Sequence, residues 1–370
     1  MKILHIINNL GSGGAEKLLE ECLPLMNNIE GIEADILLLT DKNNVFDKKL
    51  KESGVKIDVV PLRKPRNPIN IYYIRRYILE GKYDIVHAHL FPTIYWTSIA
   101  SKLIFKNKPK FIMTEHNTQN RRREKSYFRY LEKFIYSSYD KIISISQQTQ
   151  DNLISWIKPK QKSILKFIVI ENGINIKKFI EAKPYNKLEI NNKFTQDTKL
   201  ICMVGSFKEQ KDQATLIRAM KKLPYDIHLL LIGEGPLKEK NQTLVKEIGV
   251  EGRVHFLGFR NDIPSILKTV DIVVLSSHWE GFGLAVVEGM AAGKPVIASD
   301  VPGLREIING AGVLFSKGDS MELATKINEL FKEKDKYNDI AIKCQLKSNY
   351  YSIEKMVERY INVYRKLFRN

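Results

Sequence analysis

The chain has 370 residues, with 59 Lys and Arg against 42 Asp and Glu, a net charge of +17, and 44% hydrophobic residues. That length and composition exclude a largely disordered chain and point to two domains of about 100–200 residues each. Three scattered cysteines, Cys22, Cys202 and Cys344, exclude a disulfide scaffold and a cysteine zinc site, and they fit a reducing compartment.

The charge leaves three readings open: an anionic partner, a membrane surface or a well-solvated exterior. It is unevenly placed, with +12 in residues 1–180 and +5 in residues 181–370. No apolar run approaches the ~18 residues of a membrane span, and Asn8-Asn9 interrupts the first one. The expected location is therefore the cytoplasm.

Along the chain, residues 2–8 form a short apolar, β-branched run that meets Gly11-Ser12-Gly13-Gly14 and then a helical pattern from Ala15. Strand, glycine turn and helix follow one another in that order. Further strands are predicted at 34–39, 56–60, 84–88, 110–114, 141–145 and 167–170, with helical segments between most of them. Buried-type strands alternating with helices predict a parallel, doubly wound sheet. Residues 172–197 are polar and irregular. A second alternating series follows, with strands at 199–204, 227–232, 253–256, 271–275, 295–298 and 312–315. The last helix, over 352–368, is long and amphipathic. The expected organisation is an N-terminal Rossmann-like domain over 1–175, a linker over 176–197, a C-terminal Rossmann-like domain over 198–350, and a C-terminal helix over 351–370 that packs back across the junction.

The densest motif is residues 276–306, which follow a strand ending at Leu275, the place where open α/β sheets bind ligands. Glu280 and Glu288 lie eight apart. Between them Gly281-Phe282-Gly283-Leu284 exposes amides at a predicted helix start, which suits an anion. The loop Gly205-Ser206-Phe207-Lys208-Glu209-Gln210-Lys211 follows the first strand of the second series. Cations there suit a departing diphosphate, whose charge grows in the transition state. His87 and His89 end one strand and share a face, so that one is expected buried and the other open. His116 follows another strand in Thr114-Glu115-His116-Asn117. Neither a cysteine nor a carboxylate completes a metal set beside the histidine pair, and no Asp-X-Asp occurs anywhere. Three basic clusters, Arg63–Arg66, Lys102–Lys110 and Arg121-Arg122-Arg123 with Tyr127, Phe128 and Tyr130 behind them, crowd the first half.

The run EGFGLAVVEGMAAGKPVIASDVPG, with its glutamates at eight-residue spacing, resembles the core of the retaining glycosyltransferases of the GT-B fold in family 4. The order GSGGAE, DIVHAHLF, TEHN, ENGIN, GSFKEQKD, GEGPL, RVHFLG agrees over essentially the whole chain. The resemblance implies two Rossmann-like domains facing a cleft. It implies transfer of a sugar from a nucleotide-sugar donor, a UDP-sugar above all, to a saccharide acceptor, lipid-linked, in bacterial surface polysaccharide synthesis. By the same resemblance His116, Glu280 and Lys211 are catalytic. Gly13, Gly14, Ser206, Lys208, Lys211, Glu280, Gly281, Phe282, Gly283, Leu284 and Glu288 hold the donor. His89, Arg121, Arg122 and Arg123 face the acceptor or the membrane.

One departure is plain: Ser206 stands where the family carries an arginine, and Lys208 is the candidate replacement. No cofactor and no metal are expected. The expected partners are the donor, the acceptor and an anionic membrane surface at the inner face of the cytoplasmic membrane; nucleic acid is not among them. The alternatives are an isomerase like the UDP-N-acetylglucosamine 2-epimerases, which the glutamate pair disfavours, and a non-catalytic sugar-binding subunit.

Overall fold

The structure is a computed structural model that describes residues 1–118 and 120–369; the side chain of Arg121 lies outside the described residues. The chain forms two compact units. One comprises residues 1–173 and 353–370, the other residues 174–352.

In the first unit, β1 (Lys2–Ile7), β2 (Glu33–Leu38), β3 (Ile57–Val59), β4 (Ile85–His89), β5 (Lys110–Glu115), β6 (Lys141–Ser144) and β7 (Phe167–Val169) form one sheet in the order β3-β2-β1-β4-β5-β6-β7. Every pairing is parallel. Both faces are covered, which explains why these strands read as continuous apolar runs. Alternation along β1 sends Ile3 and Ile7 to one core and Leu4 and Ile6 to the other. The first core takes Ile353, Met356, Val357, Tyr360, Ile361 and Tyr364 from the C-terminal helix Ile353–Arg369. The chain thus returns from the second unit and completes the first, because that helix carries a strong apolar stripe that needs a partner face.

In the second unit, β8 (Lys199–Val204), β9 (Ile227–Ile232), β10 (Val254–Gly258), β11 (Ile272–Leu275), β12 (Val296–Ser299) and β13 (Val313–Phe315) form a parallel sheet in the order β10-β9-β8-β11-β12-β13. Residues 176–197 belong to this unit and carry two short helices, Ile176–Ile180 and Lys187–Ile190. The Tyr185 amide donates to Thr269 Oγ1 at 2.8 Å and its hydroxyl to Asp262 at 2.7 Å, fastening this polar segment to both ends of helix Ile263–Thr269. Among the described residues no helix is long and apolar enough to cross a membrane.

Candidate functional site

In the second unit the ends of β8 and β11 bring two loops together. After β8, Glu209–Lys211 make one turn of 3-10 helix, and Asp212 then adopts a left-handed conformation (φ 47°) as the cap of helix Gln213–Met220. Its carboxylate accepts from the Thr215 amide and, at 2.5 Å, from the Thr215 hydroxyl. Ser276 Oγ donates to the Asp212 carbonyl at 2.7 Å, and the His278 amide donates to the Gln210 carbonyl at 2.8 Å. These bonds tie the lysine-bearing loop to the glutamate-bearing one.

Lys211 Nζ is paired with Glu280 Oε1, and the same oxygen accepts from Ser277 Oγ at 2.9 Å. Gln210 Nε2 reaches the Trp279 carbonyl at 3.1 Å and Glu280 Oε2 at 3.4 Å. The Glu280 side chain is 6% exposed and that of Lys211 17%. A pair this buried holds its geometry, because removing one partner strands the other charge at a cost of about 3–5 kcal/mol.

Gly283 caps helix Leu284–Ala291 in the left-handed region (φ 75°), and a side chain there would collide with Leu304. Gly303 also has positive φ (91°), and a Cβ on it would sit 2.5 Å from the Glu280 carbonyl oxygen. The turn Asp300–Gly303 therefore buttresses the Glu280 loop from behind. Glu288 is buried on the same helix that starts after Gly283. Phe282 is buried edge-to-face against Tyr351, at 5.3 Å between rings. Ser206 is half-buried, its carbonyl accepting from Gln213 Nε2 at 3.1 Å, while Lys208 is exposed.

In the first unit the strand register builds a cluster that the sequence hides. His5 on β1 pairs with His87 on β4, and His89 lies two residues further on the same face. Both histidines of the β4 pair are buried, at 0% and 2% exposure, which corrects the expectation that one of them is open. His87 uses both ring nitrogens, on Tyr364 Oη and Thr114 Oγ1, each at 2.7 Å. His5 Nδ1 meets His89 Nε2 at 3.1 Å, and His89 Nδ1 meets His116 Nε2 at 3.1 Å. His89 thus reaches the half-buried His116 from inside rather than presenting itself to an acceptor. Burial pushes the imidazole of His5 down to about 3 and that of His116 to about 4, and holds His87 and His89 well below the usual range. All four are neutral near pH 7. Nitrogens of His5, His87 and His89 lie within 4.8 Å of one another, and both ring nitrogens of His87 are already hydrogen-bonded, to Tyr364 and Thr114.

The arginine cluster also turns out differently from expectation. Arg123 binds Glu115 at 2.6 Å and lies 3.6 Å from Glu132; Arg122 lies 3.5 Å from Glu132 and stacks over Phe91 at 4.0 Å. Glu132 is fully buried and Glu115 nearly so. Two of the three arginines are therefore turned inward to balance buried carboxylates, not outward to a partner; the third, Arg121, has its side chain outside the described residues. Gly13 caps helix Gly14–Asn27 at the end of the first strand's loop, its carbonyl accepting from Lys17. Ser277 and Gln210, which orient Glu280, do not stand out in the sequence as site residues. Ser277 had a local signal, a hydroxyl three residues ahead of the glutamate. Gln210 had none, since its role depends on the loop contact.

Comparison with known proteins gives a consistent result. The family model described as Glycosyl transferases group 1 matches residues 186–345, and that described as Glycosyltransferase Family 4 matches residues 12–178. A Methanocaldococcus jannaschii protein, the uncharacterized glycosyltransferase MJ1178, is 31% identical over 306 residues, covering 81% of this chain and 80% of its own. The UDP-Gal:alpha-D-GlcNAc-diphosphoundecaprenol alpha-1,3-galactosyltransferase of Escherichia coli is 27% identical over 317 residues, 76% of this chain and 79% of its own. Among solved structures, Anabaena Alr3699/HepE in complex with UDP and glucose has the same fold, with a TM-score of 0.85 at 23% identity over 99% of this chain and 100% of that one.

Proposed function

Because this chain belongs to the group 1 glycosyltransferases of family 4, we propose that it moves a sugar from a UDP-linked donor to a hydroxyl of a lipid-linked saccharide. Transfer proceeds with retention of anomeric configuration and without a metal, in bacterial surface polysaccharide synthesis. The observation that carries this reading is the buried Lys211–Glu280 pair, held by Ser277 and Gln210 beside the amides that open helix Leu284–Ala291. Donor arrival divides the pair: the ammonium turns to the diphosphate and the carboxylate accepts from sugar hydroxyls. Lys211 then stabilises the charge that grows on the leaving phosphate oxygen, an interaction stronger in the transition state than in the ground state. The amides of Phe282, Gly283 and Leu284 add a helix N-terminus to the same charge. Glu288 takes the ribose hydroxyls, and exposed Lys208 supplements the charge that the family draws from an arginine at Ser206.

In the first unit, His116 is neutral at working pH and serves as a hydrogen-bonding contact to the transferred sugar rather than as a cation. The Gly13–Gly14 turn offers amides to the donor phosphates. The leaving β-phosphate oxygen accepts the acceptor hydroxyl proton, so no side-chain base is required. The relatives' lipid-linked substrates and the exposed aromatics beside lysines in unit one support work at a membrane: Phe105, Tyr127, Tyr130 and Phe134 stand out, with Lys102 over the Phe134 ring at 3.2 Å. The inner face of the cytoplasmic membrane is the place that suits these substrates.

The test is turnover of a panel of UDP-sugars by wild type and Glu280→Gln, each with and without EDTA. Wild type is expected to act on at least one donor regardless of EDTA. Glu280→Gln, which keeps the shape and leaves one charge unbalanced, is expected to lose about 10²–10³-fold. Equal turnover by the variant refutes the assignment of Glu280, and complete loss on EDTA refutes metal independence.

A further inference from the structure

Unit one carries a second charged site that the proposed donor chemistry does not use. A cavity of about 710 Å³ opens where the loops after β1, β2, β3 and β4 meet. That is the C-terminal edge of the sheet. It includes the β1/β4 neighbourhood where the strand order reverses, the usual ligand position in open α/β folds. The volume falls within the range of about 300–1,000 Å³ typical of small-ligand sites.

Its lining includes Lys42, Arg63, Lys64 and Arg66 and no carboxylate. Arg63 is paired outside the lining with Asp41 at 2.8 Å; among the described residues Lys42, Lys64 and Arg66 have no acidic partner. Asn8 and Asn9 supply the polar floor. Asn9 Nδ2 donates to the Lys42 carbonyl at 3.0 Å, and Asn8 is fixed between the Phe91 carbonyl (2.9 Å) and Thr93 Oγ1 (2.7 Å).

The basic loop is held in one conformation. The fully buried Asn70 donates to the carbonyls of Lys64 and Pro65 at 2.9 and 3.1 Å, and Trp96 Nε1 donates to the Pro65 carbonyl at 2.8 Å. The carbonyl oxygens of Lys64 and Pro65, which would repel an anion, are thereby engaged by side-chain donors, while three cations line the cavity without a counter-charge. Like charges gathered without partners are unfavourable in the empty protein and become favourable when a multiply charged anion enters.

We propose that this cavity is a phosphate-ester site, and that its occupant is the diphosphate that links the acceptor saccharide to its lipid; the occupant rests on the reading of the acceptor given above. Lys64 and Arg66 grip the diphosphate from the β3 loop, Lys42 from the β2 loop, and Asn8 and Asn9 mark the side on which the saccharide lies. Donor and acceptor diphosphates then use separate cation sets, Lys211 in one unit and Lys42, Lys64 and Arg66 in the other.

The experiment titrates inorganic pyrophosphate into the full chain saturated with UDP, so that the donor site is closed to the probe, and repeats it with Lys64→Gln/Arg66→Gln. Wild type is expected to bind, and the double variant, which loses two charge-assisted contacts each worth about tenfold, to bind at least about tenfold more weakly, with its UDP affinity unchanged. Pyrophosphate binding that is absent, or equal in the two proteins, overturns the site. A second arm sediments both proteins with phosphatidylglycerol vesicles. Unchanged vesicle binding in the variant supports the acceptor diphosphate. A loss as large as that for pyrophosphate makes the source a membrane headgroup and overturns the proposed occupant. Failure of UDP to bind wild type would instead refute the donor reading; with Lys211 then open to the probe, it is the difference in pyrophosphate affinity between wild type and the double variant that reports on this cavity, and no difference overturns it.

Discussion

The neutral histidine cluster makes the first unit acid-labile in a way that can be calculated. His5, His87 and His89 are each at most 2% exposed, and their folded pKa values are lowered by burial, that of His5 to about 3. Unfolded, each returns to about 6.5. A group whose folded pKa is depressed contributes stability that is fully present above the unfolded value and is lost as pH falls from there toward the folded one. At about pH 5 the unfolded chain has taken up a proton on His5 and the folded chain has not, a difference of about 2 kcal/mol, and the burial of His87 and His89 acts in the same direction. Domains are stable by roughly 5–15 kcal/mol, so this is a large share.

Thermal unfolding, followed with hydrogen exchange to assign the signal to unit one, should therefore show a steep loss of stability between about pH 7.5 and pH 5. His5→Gln removes one titrating group without adding a charge. It should remove the His5 share of that pH dependence, about 2 kcal/mol between pH 7.5 and pH 5, whatever it does to stability at pH 7.5. A first unit whose stability is flat over this range, or a His5→Gln profile parallel to wild type, would refute the burial argument.

Two further outcomes follow from single contacts. Gly303→Ala places a methyl 2.5 Å from the Glu280 carbonyl in a backbone region that strains L-residues. It should cost about 1–3 kcal/mol of second-unit stability and weaken UDP-sugar binding together with it; a melting curve and donor affinity like those of wild type would remove Gly303 as a buttress. Tyr130→Ser/Phe134→Ser changes two exposed side chains and should reduce co-sedimentation with anionic vesicles several-fold at low salt, binding that high salt weakens further. Equal binding to neutral vesicles would argue against an electrostatic component.

The strand series is legible in the sequence because its central strands are buried on both faces and read as apolar runs; Lys199–Val204 and Ile227–Ile232 coincide with the predicted segments. The Glu280–Glu288 segment is legible because its glycines and glutamates lie within a few residues of one another. What sequence does not reveal depends on partners far along the chain. Arg122 and Arg123 look like a free basic patch until the fold brings Glu115 and Glu132 against them. His5 and His89, 84 residues apart, become neighbours only through the β1–β4 pairing. The basic cavity likewise needs four loops, of which only Arg63–Arg66 stands out as a local cluster. Segment 176–197 reads as irregular because its anchors, Asp262 and Thr269, lie some eighty residues away.

The proposed chemistry needs a nucleotide diphosphate held by Lys211 in the second unit, and a calorimetric titration of UDP into wild type and Lys211→Met decides whether it is held there. Wild type should bind UDP, and Lys211→Met should bind at least about tenfold more weakly, as loss of a charge-assisted hydrogen bond requires. A wild-type chain that does not bind UDP, or a variant that binds it equally well, would contradict the account.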